Sequence, residues 1–238
     1  MLIAIPSKNR AGNTTTDKIL PNVGTFFVPE SEVRQYDYVK NVIGVPKEIQ
    51  GITQTRNWIL KNTDQQWVVF IDDDSKFVGY TEMQSRKAKR HEVRDEQFWY
   101  DEFLKYFDLC EQIGYKIWGV KTESAPRSMY PYKPINFKTY ITASCMGLIN
   151  DGEFYFNEDF KVKEDYEICL RHIQKYGGVL GVRYLHWENE HWVTDGGCKD
   201  YRTVSNERDA IKKLNKLYPG MISGAERKAN EFTVKLNL

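Results

Sequence analysis

Short apolar runs closed by proline set the rhythm of the first fifty residues. Residues 2–5 end at Pro6, residues 25–28 at Pro29 and residues 41–45 at Pro46. Runs of this length between turn signals predict buried strands. The polar stretch 7–13 predicts a loop, with a helix beginning near Thr16. Residues 51–62 predict a helix, with Ile52, Thr55, Ile59 and Leu60 approximating one face. Five apolar residues, 67–71, then lead into three aspartates. Residues 82–94 carry the densest charge and predict a mobile loop or an exposed helix. An amphipathic helix is expected over 97–114, with Phe98, Phe103, Phe107 and Ile113 inside, then a strand over 115–120. Pro126, Pro131 and Pro134 mark an irregular region, and 141–149 is strand-like. A helix over 162–176 stops at Gly177-Gly178, a strand over 179–185 ends at His186, and a lysine-rich helix covers 205–217. Strands alternating with helices predict an α/β fold with a mixed, mostly parallel sheet flanked by helices.

The length of 238 residues suits one domain with an appended piece. Residues 1–200 are expected to form that domain and 201–238 a helical extension packed on it. The net charge of +1 does not announce nucleic acid, so a polyanion would need a local patch. Arg86, Lys87, Lys89 and Arg90 form one candidate; Lys212, Lys213 and Lys216 form another. Either set alone reads as a solvated face. Cys110, Cys145, Cys169 and Cys198 are far apart with no CxxC pair, which argues against a zinc cluster or a disulfide framework. The opening has no signal-peptide character and no stretch is long enough to span a bilayer, so a cytoplasmic protein is expected.

The run at 67–71 reads as a buried, parallel-type strand. Asp72, Asp73 and Asp74 then stand at its carboxyl end, where open α/β sheets bind ligands. Three adjacent carboxylates repel one another, most where water is excluded. A divalent cation is the usual partner, because hard cations take oxygen ligands. Such an ion would also stabilise charge on a departing phosphate. An exposed acidic turn is the plain alternative, and the triplet by itself does not decide.

Its context does. The chain opens Ile5-Pro6-Ser7-Lys8-Asn9-Arg10, and Thr55-Arg56-Asn57 lies on the helix before the acidic strand. This order resembles the inverting GT-A glycosyltransferases, which carry a Pro-x-x-Asn-Arg loop, an Ala-Arg-Asn helix and an Asp-x-Asp strand end. The resemblance implies a Rossmann-like GT-A fold, a nucleotide-sugar donor and Mn²⁺ or Mg²⁺. It implies that Pro6, Ser7 and Arg10 line the nucleotide, with Asp73 in the same donor site. Asp72 would contact ribose or metal, and Asp74 would be the metal ligand. Arg56 would reach the base or diphosphate, as an arginine fork suits phosphate oxygens. An exposed helix charge, or an ion pair with an acid of the triplet, is the plain alternative for Arg56.

Lys163-Glu164-Asp165-Tyr166-Glu167 opens a helix, where the macrodipole favours acids. The same resemblance implies a Glu-Asp pair there, with Asp165 as catalytic base and Glu164 beside it. Such a base contributes about 100- to 10,000-fold in rate. It further implies a late metal-binding histidine, His186, with His191 close behind; a packed or solvent-facing ring is the plain alternative. The paired glycines in 194–199 permit a lid or a simple turn.

A narrower resemblance spans most of the chain. Ser7-Lys8-Asn9-Arg10, Gln54-Thr55-Arg56-Asn57, the triple Asp, 163–167 and Gly196-Gly197 look like the TET-associated glycosyltransferases. That family implies a UDP-sugar donor and the hydroxyl of 5-hydroxymethylcytosine in phage DNA as acceptor. Reaching it inside a duplex requires flipping the base out of the stack or an approach through a groove, and flipping costs a few kcal/mol. Rival readings are a glycan, lipid or protein acceptor, a non-catalytic GT-A-like binding module, and a metal-dependent nuclease. The nuclease reading leaves Pro6 to Arg10 and Arg56 unexplained.

Overall fold

The computed structural model describes residues 1–84, 87–122, 134–189, 203–228 and 231–237. Along the chain run β1 (Leu2–Pro6), β2 (Gly24–Pro29), β3 (Val42–Val45), α1 (Gly51–Lys61), β4 (Trp67–Ile71), β5 (Ser75–Gln84) and β6 (Lys87–Glu92). Then come α2 (Glu96–Ile113), β7 (Ile117–Lys121), β8 (Ile135–Asn136), β9 (Cys145–Ile149), α3 (Glu164–Tyr176) and β10 (Leu180–Asn189). The chain closes with α4 (Val204–Leu217), β11 (Ile222–Lys228) and β12 (Glu231–Leu236). The stretch near Thr16 is a short 3₁₀ turn, Thr16–Lys18, and a second 3₁₀ segment, Glu30–Tyr36, was not legible in the pattern.

Ten strands form one mixed sheet in the order β3-β2-β1-β4-β9-β7-β10-β5-β6, with β8 beside β10. The pairings make β1 to β4, β6, β7 and β10 run one way, with β5, β8 and β9 against them. The sheet is therefore mixed and mostly parallel. Alternate residues of each central strand enter opposite layers. Ile3, Ile5, Val69 and Ile71 meet α2 through Trp99, Phe103 and Phe107. Ala4, Val68 and Phe70 meet α1 and α3 through Ile59, Ile168 and Ile173. Burial on both faces is why these strands read as unbroken apolar runs.

Asp95 caps α2 by accepting from the Gln97 and Phe98 amides, and Gly114 ends it at φ 78°. Its buried stripe is Trp99, Phe103, Tyr106, Phe107 and Cys110. Ile113 was expected inside but is 39% exposed, because it falls off that stripe in the last turn.

Residues 82–94 are corrected as well. Residues 82–84 and 87–92 lie in the paired strands of the β5–β6 hairpin at the sheet's margin, not in a loop or helix. Lysine and arginine on an edge strand discourage pairing with another chain, so charge density here marks an edge. The C-terminal piece is also more than helical: α4 is followed by the β11–β12 hairpin. Ala210, Leu214 and Tyr218 pack with Ile222 and Val234 onto Phe160, Val162 and Leu170 around α3. No helix among the described residues is long and apolar enough to cross a membrane.

Gly147 of β9 lies against the Trp118 indole, and a Cβ there would stand 2.1 Å from its ring atoms. Gly147→Ala is expected to cost about 1–3 kcal/mol by overpacking. That should appear as a Tm lower by about 2–4 °C per kcal/mol in a thermal melt; an unchanged Tm would show that the indole can move aside.

Candidate functional site

The three aspartates follow β4 directly, beside the carboxyl end of β1 (Ala4 opposite Phe70) and the start of β9 (Ile71 opposite Cys145). The surrounding backbone is fixed by the Asp72 amide on Ser144 O at 3.3 Å and the Thr15 amide on Asp73 O at 3.0 Å. Thr16 Oγ1 donates to Asp72 O at 2.7 Å and is also 2.7 Å from Ser75 Oγ, while Trp187 Nε1 donates to Ser75 Oγ at 2.6 Å. The turn bearing the carboxylates is thereby held on several sides.

The carboxylates face different partners. Asp73 turns inward: Ser7 Oγ donates to it in a short hydrogen bond and lies 2.8 Å from Tyr36 Oη. Arg10 Nη1 sits 3.0 Å from Asp73 and 2.8 Å from Asp74. Burial pushes the Asp73 pKa up to about 6, although Arg10 and Ser7 oppose the shift. Arg10 is itself partly desolvated, which lowers its pKa, yet Asp73 and Asp74 raise it on balance. Pro6 ends β1 and delivers this loop. Asn9, at φ 57°, turns the chain so that its amide reaches Glu32 at 2.8 Å.

Asp72 is the open member of the triplet, its side chain 35% exposed. Asn189 Nδ2 donates to it at 3.0 Å. A register shift between Glu188 and Asn189 lies where β10 meets β5, a local kink that re-aims the last side chain. Arg56 Nη2 lies 3.7 Å from Asp72 on another side.

Arg56 is only 3% exposed. Its Nη1 lies 2.7 Å from Glu164 Oε1, Nη2 donates to Ala143 O at 3.5 Å, and the guanidinium rests over the Phe70 and Phe156 rings. The plain alternative for this residue, an ion pair with an acid of the triplet, is therefore present. Next to it, Asn57 holds the approach to α3, donating to Phe156 O at 2.9 Å and accepting from the Phe156 amide at 2.8 Å. One turn of α1 thus ties the triplet to the start of α3.

Glu164 and Asp165 open α3 behind Lys163, a non-glycine residue at φ 61°. Such backbone persists only where neighbours enforce it. Here Lys163 Nζ is held 2.8 Å from Glu207 of α4, and Tyr218 Oη donates to the buried Glu167 at 2.8 Å. Asp165 is raised well above the ordinary carboxylate range by burial first and then by the charge of Glu164; Arg56 and Lys163 pull the other way. A carboxylate raised toward neutrality suits proton acceptance near pH 7.

The remaining sequence candidates lie elsewhere. His186 has neither ring nitrogen hydrogen-bonded among the described residues. It sits three positions before Asn189, opposite Gly79 of β5, with its ring buried and stacked on Phe77 at 5.1 Å. Burial, then Lys121 and Arg90, lower its pKa to about 4. Lys89 and Arg90 stand opposite Glu82 and Thr81, well along β5 from the triplet. Arg90 reaches back over the Phe77 ring at 5.3 Å. Arg86, the Lys87 side chain, His191, Cys198 and residues 194–199 lie outside the described residues. Lys212, Lys213 and Lys216 are exposed on α4, with Lys213 donating to Asp159 O.

Among the described residues no three His, Cys, Asp or Glu side chains form a complete metal cage. Asp72 and Asp74 supply oxygens only, with Asp72 partly open. That donor set suits a hard cation held by one or two carboxylates and completed by substrate phosphates and water. Sequence reasoning missed Tyr36, Asn189, Thr16 and Glu207. Each acts through a long-range contact, and no local pattern marks any of them.

A family model described as TET-Associated Glycosyltransferase matches residues 1–197. No curated protein matches. Among solved structures, glucosyl-3-phosphoglycerate synthase from Mycobacterium tuberculosis, in complex with Mn²⁺ and uridine-diphosphate-glucose, superposes with TM-score 0.56 at 10% identity, covering 98% of this chain and 85% of that one. S. aureus TarS 1-349 in complex with UDP-GlcNAc gives 0.53 at 14% identity, over 90% and 67%. Mannosyltransferase PcManGT from Pyrobaculum calidifontis, in complex with GDP-Man and Mn²⁺, gives 0.54 at 13% identity, over 89% and 64%. The chain spans about two thirds of the length of these last two. At such identities the likeness shows the fold, and the family follows from the model match: this chain belongs to the TET-associated glycosyltransferase family and has the GT-A fold.

Proposed function

We propose that this protein transfers a sugar from a UDP-sugar to the hydroxyl of 5-hydroxymethylcytosine in DNA, with Asp165 as the base. The observation that carries the reading is the Arg56 bridge, 3.7 Å from Asp72 and 2.7 Å from Glu164. It supports reading the acids after β4 and the acids opening α3 as two halves of one site. Donor complexes of the three similar structures, two of them with Mn²⁺, support a nucleotide-sugar donor and a divalent ion. The DNA acceptor rests on the family.

In this reading Asp72 and Asp74 hold Mn²⁺ or Mg²⁺. The bound ion would neutralise charge on the departing diphosphate. Pro6, Ser7 and Arg10 shape the nucleotide wall, with Asp73 as the internal anchor of that wall. Arg10 neutralises the triplet and lies where its guanidinium can also meet phosphate oxygens. Asp165 accepts the hydroxyl proton, and the charge of Glu164 keeps it basic.

The test is a transfer assay with Mn²⁺, UDP-sugars and duplex DNA carrying 5-hydroxymethylcytosine, read as nucleoside mass. A gain of one sugar that chelator abolishes is the expected result. No gain on DNA, with slow metal-dependent hydrolysis of one UDP-sugar, would retain the donor chemistry and discard the DNA acceptor. Asp165→Asn is expected to lower turnover by about 100- to 10,000-fold with UDP affinity near normal. Asp74→Ala should weaken Mn²⁺-dependent UDP binding by about tenfold or more, roughly 1.4 kcal/mol. Full turnover in Asp165→Asn would remove that residue as base.

The pH profile supplies a separate check. A base acts unprotonated, and the Asp165 pKa is raised. kcat/KM should therefore fall as pH drops through an inflection above the ordinary aspartate range near 4. An inflection at or below that range would mean that Asp165 is not the titrating base.

A further inference from the structure

A cavity of about 280 Å³ lies between the carboxyl end of β7 and the start of β10, beneath the crossing segment 139–142. Two glycines let that segment lie on the sheet. A Cβ on Gly119 would stand 2.0 Å from Ile141, and one on Gly181 would stand 2.6 Å from Thr139. The walls are mixed, with Lys121, Arg183, Asn136 and Thr142 beside the apolar Val120, Ile141 and Val182. Thr142 Oγ1 is buried with no hydrogen-bond partner among the described residues, an uncommon state that calls for a ligand or water.

The segment that roofs the cavity leads along the chain into the site above. Segment 139–142 continues into Ala143, whose carbonyl accepts from Arg56, and Ser144, whose carbonyl accepts from the Asp72 amide. On its other flank Tyr140 stacks on Tyr166 at 4.3 Å, directly after Asp165. Next to the cavity, Lys121 stands opposite His186 across β7 and β10, the His186 ring stacks on Phe77, and the Arg90 guanidinium lies over that Phe77 ring.

We propose that this cavity is the acceptor pocket and takes one phosphate-flanked nucleotide unit of a nucleic acid. This rests on the DNA-acceptor reading and names the residues that would realise it. A cavity of this size sits at the small end of ligand pockets, about 300 Å³ and upward. It has room for one unstacked base and none for a duplex, so the base must leave the stack. Lys121 and Arg183 meet the flanking phosphates, and the Thr142 hydroxyl meets the polar edge of the base. Arg90 continues the backbone track. A small anionic acceptor would use the pocket but would have no need of Arg90.

The test uses the full chain with Mn²⁺ and UDP and a fluorescent duplex carrying one 5-hydroxymethylcytosine. Dissociation constants are measured over a salt series for wild type, Lys121→Gln, Arg183→Gln, Arg90→Gln and, as control, Lys175→Gln in the last turn of α3. Each pocket or track variant should reduce the slope of log K against log salt by about 0.9, the loss of one phosphate contact, with UDP affinity unchanged. The control should match wild type. Thr142→Val, nearly isosteric, should raise the KM for DNA without moving the KM for UDP-sugar. If wild type binds the duplex and the variants keep its slope and affinity, the pocket assignment is overturned while the DNA reading stands. If wild type binds UDP but no duplex, the DNA reading itself fails and takes this assignment with it. A pocket-variant effect without any Arg90 effect would overturn the backbone track beyond the pocket.

Discussion

The site depends on one buried cation. Arg56 lies between the Asp72 carboxylate and Glu164, flanked by the Phe70 and Phe156 rings. Burying a guanidinium is costly unless it is paired and hydrogen-bonded. The same burial makes each pairing stronger than it would be in water. Removing Arg56 would leave two carboxylates facing each other across an apolar floor, so the residue is structural and electrostatic at once. Arg10 does similar work on the other side of the triplet, where Asp73 and Asp74 share its Nη1. The acids tolerate their mutual repulsion because two arginines from two different elements close on them.

The second constraint comes from the C-terminal piece. Glu207 of α4 holds Lys163 in its left-handed conformation, and Tyr218 reaches the buried Glu167. The first turn of α3, which carries Glu164 and Asp165, is therefore gripped by α1 on one side and by α4 on the other. The family match ends at residue 197, yet this later segment fixes the geometry of the proposed base.

Much of the fold was legible because burial on both sheet faces writes plain apolar runs. β1, β4 and the Asp72 triplet at the carboxyl end of β4 follow from pattern. So do α1, α2 and α3, whose apolar spacing and flanking Gly114 and Gly177 mark their ends. Charge misled the reading of 82–94, where edge protection imitates a loop, and of the C-terminal segment, where a hairpin follows the lysine-rich helix. The resemblance points to His186 as a late metal-binding histidine; β10 runs on past it to Asn189, and that residue, at a register shift, touches Asp72. Contacts such as Tyr36 to Ser7 or Glu207 to Lys163 have no local signature, because they exist only once distant elements have packed.

The central claim is that the acids after β4 and those opening α3 act as one electrostatic unit through Arg56. Mn²⁺ affinity of Glu164→Gln, measured by electron paramagnetic resonance, tests it most directly. Freed of Glu164, Arg56 should turn its charge onto Asp72 and weaken Mn²⁺ binding by about five- to tenfold, on the order of 1 kcal/mol. Glu153→Gln, which removes an equal charge far from Arg56, should leave it unchanged. An Mn²⁺ affinity in Glu164→Gln equal to that of wild type would mean that the two acidic centres are independent, and the account would be wrong.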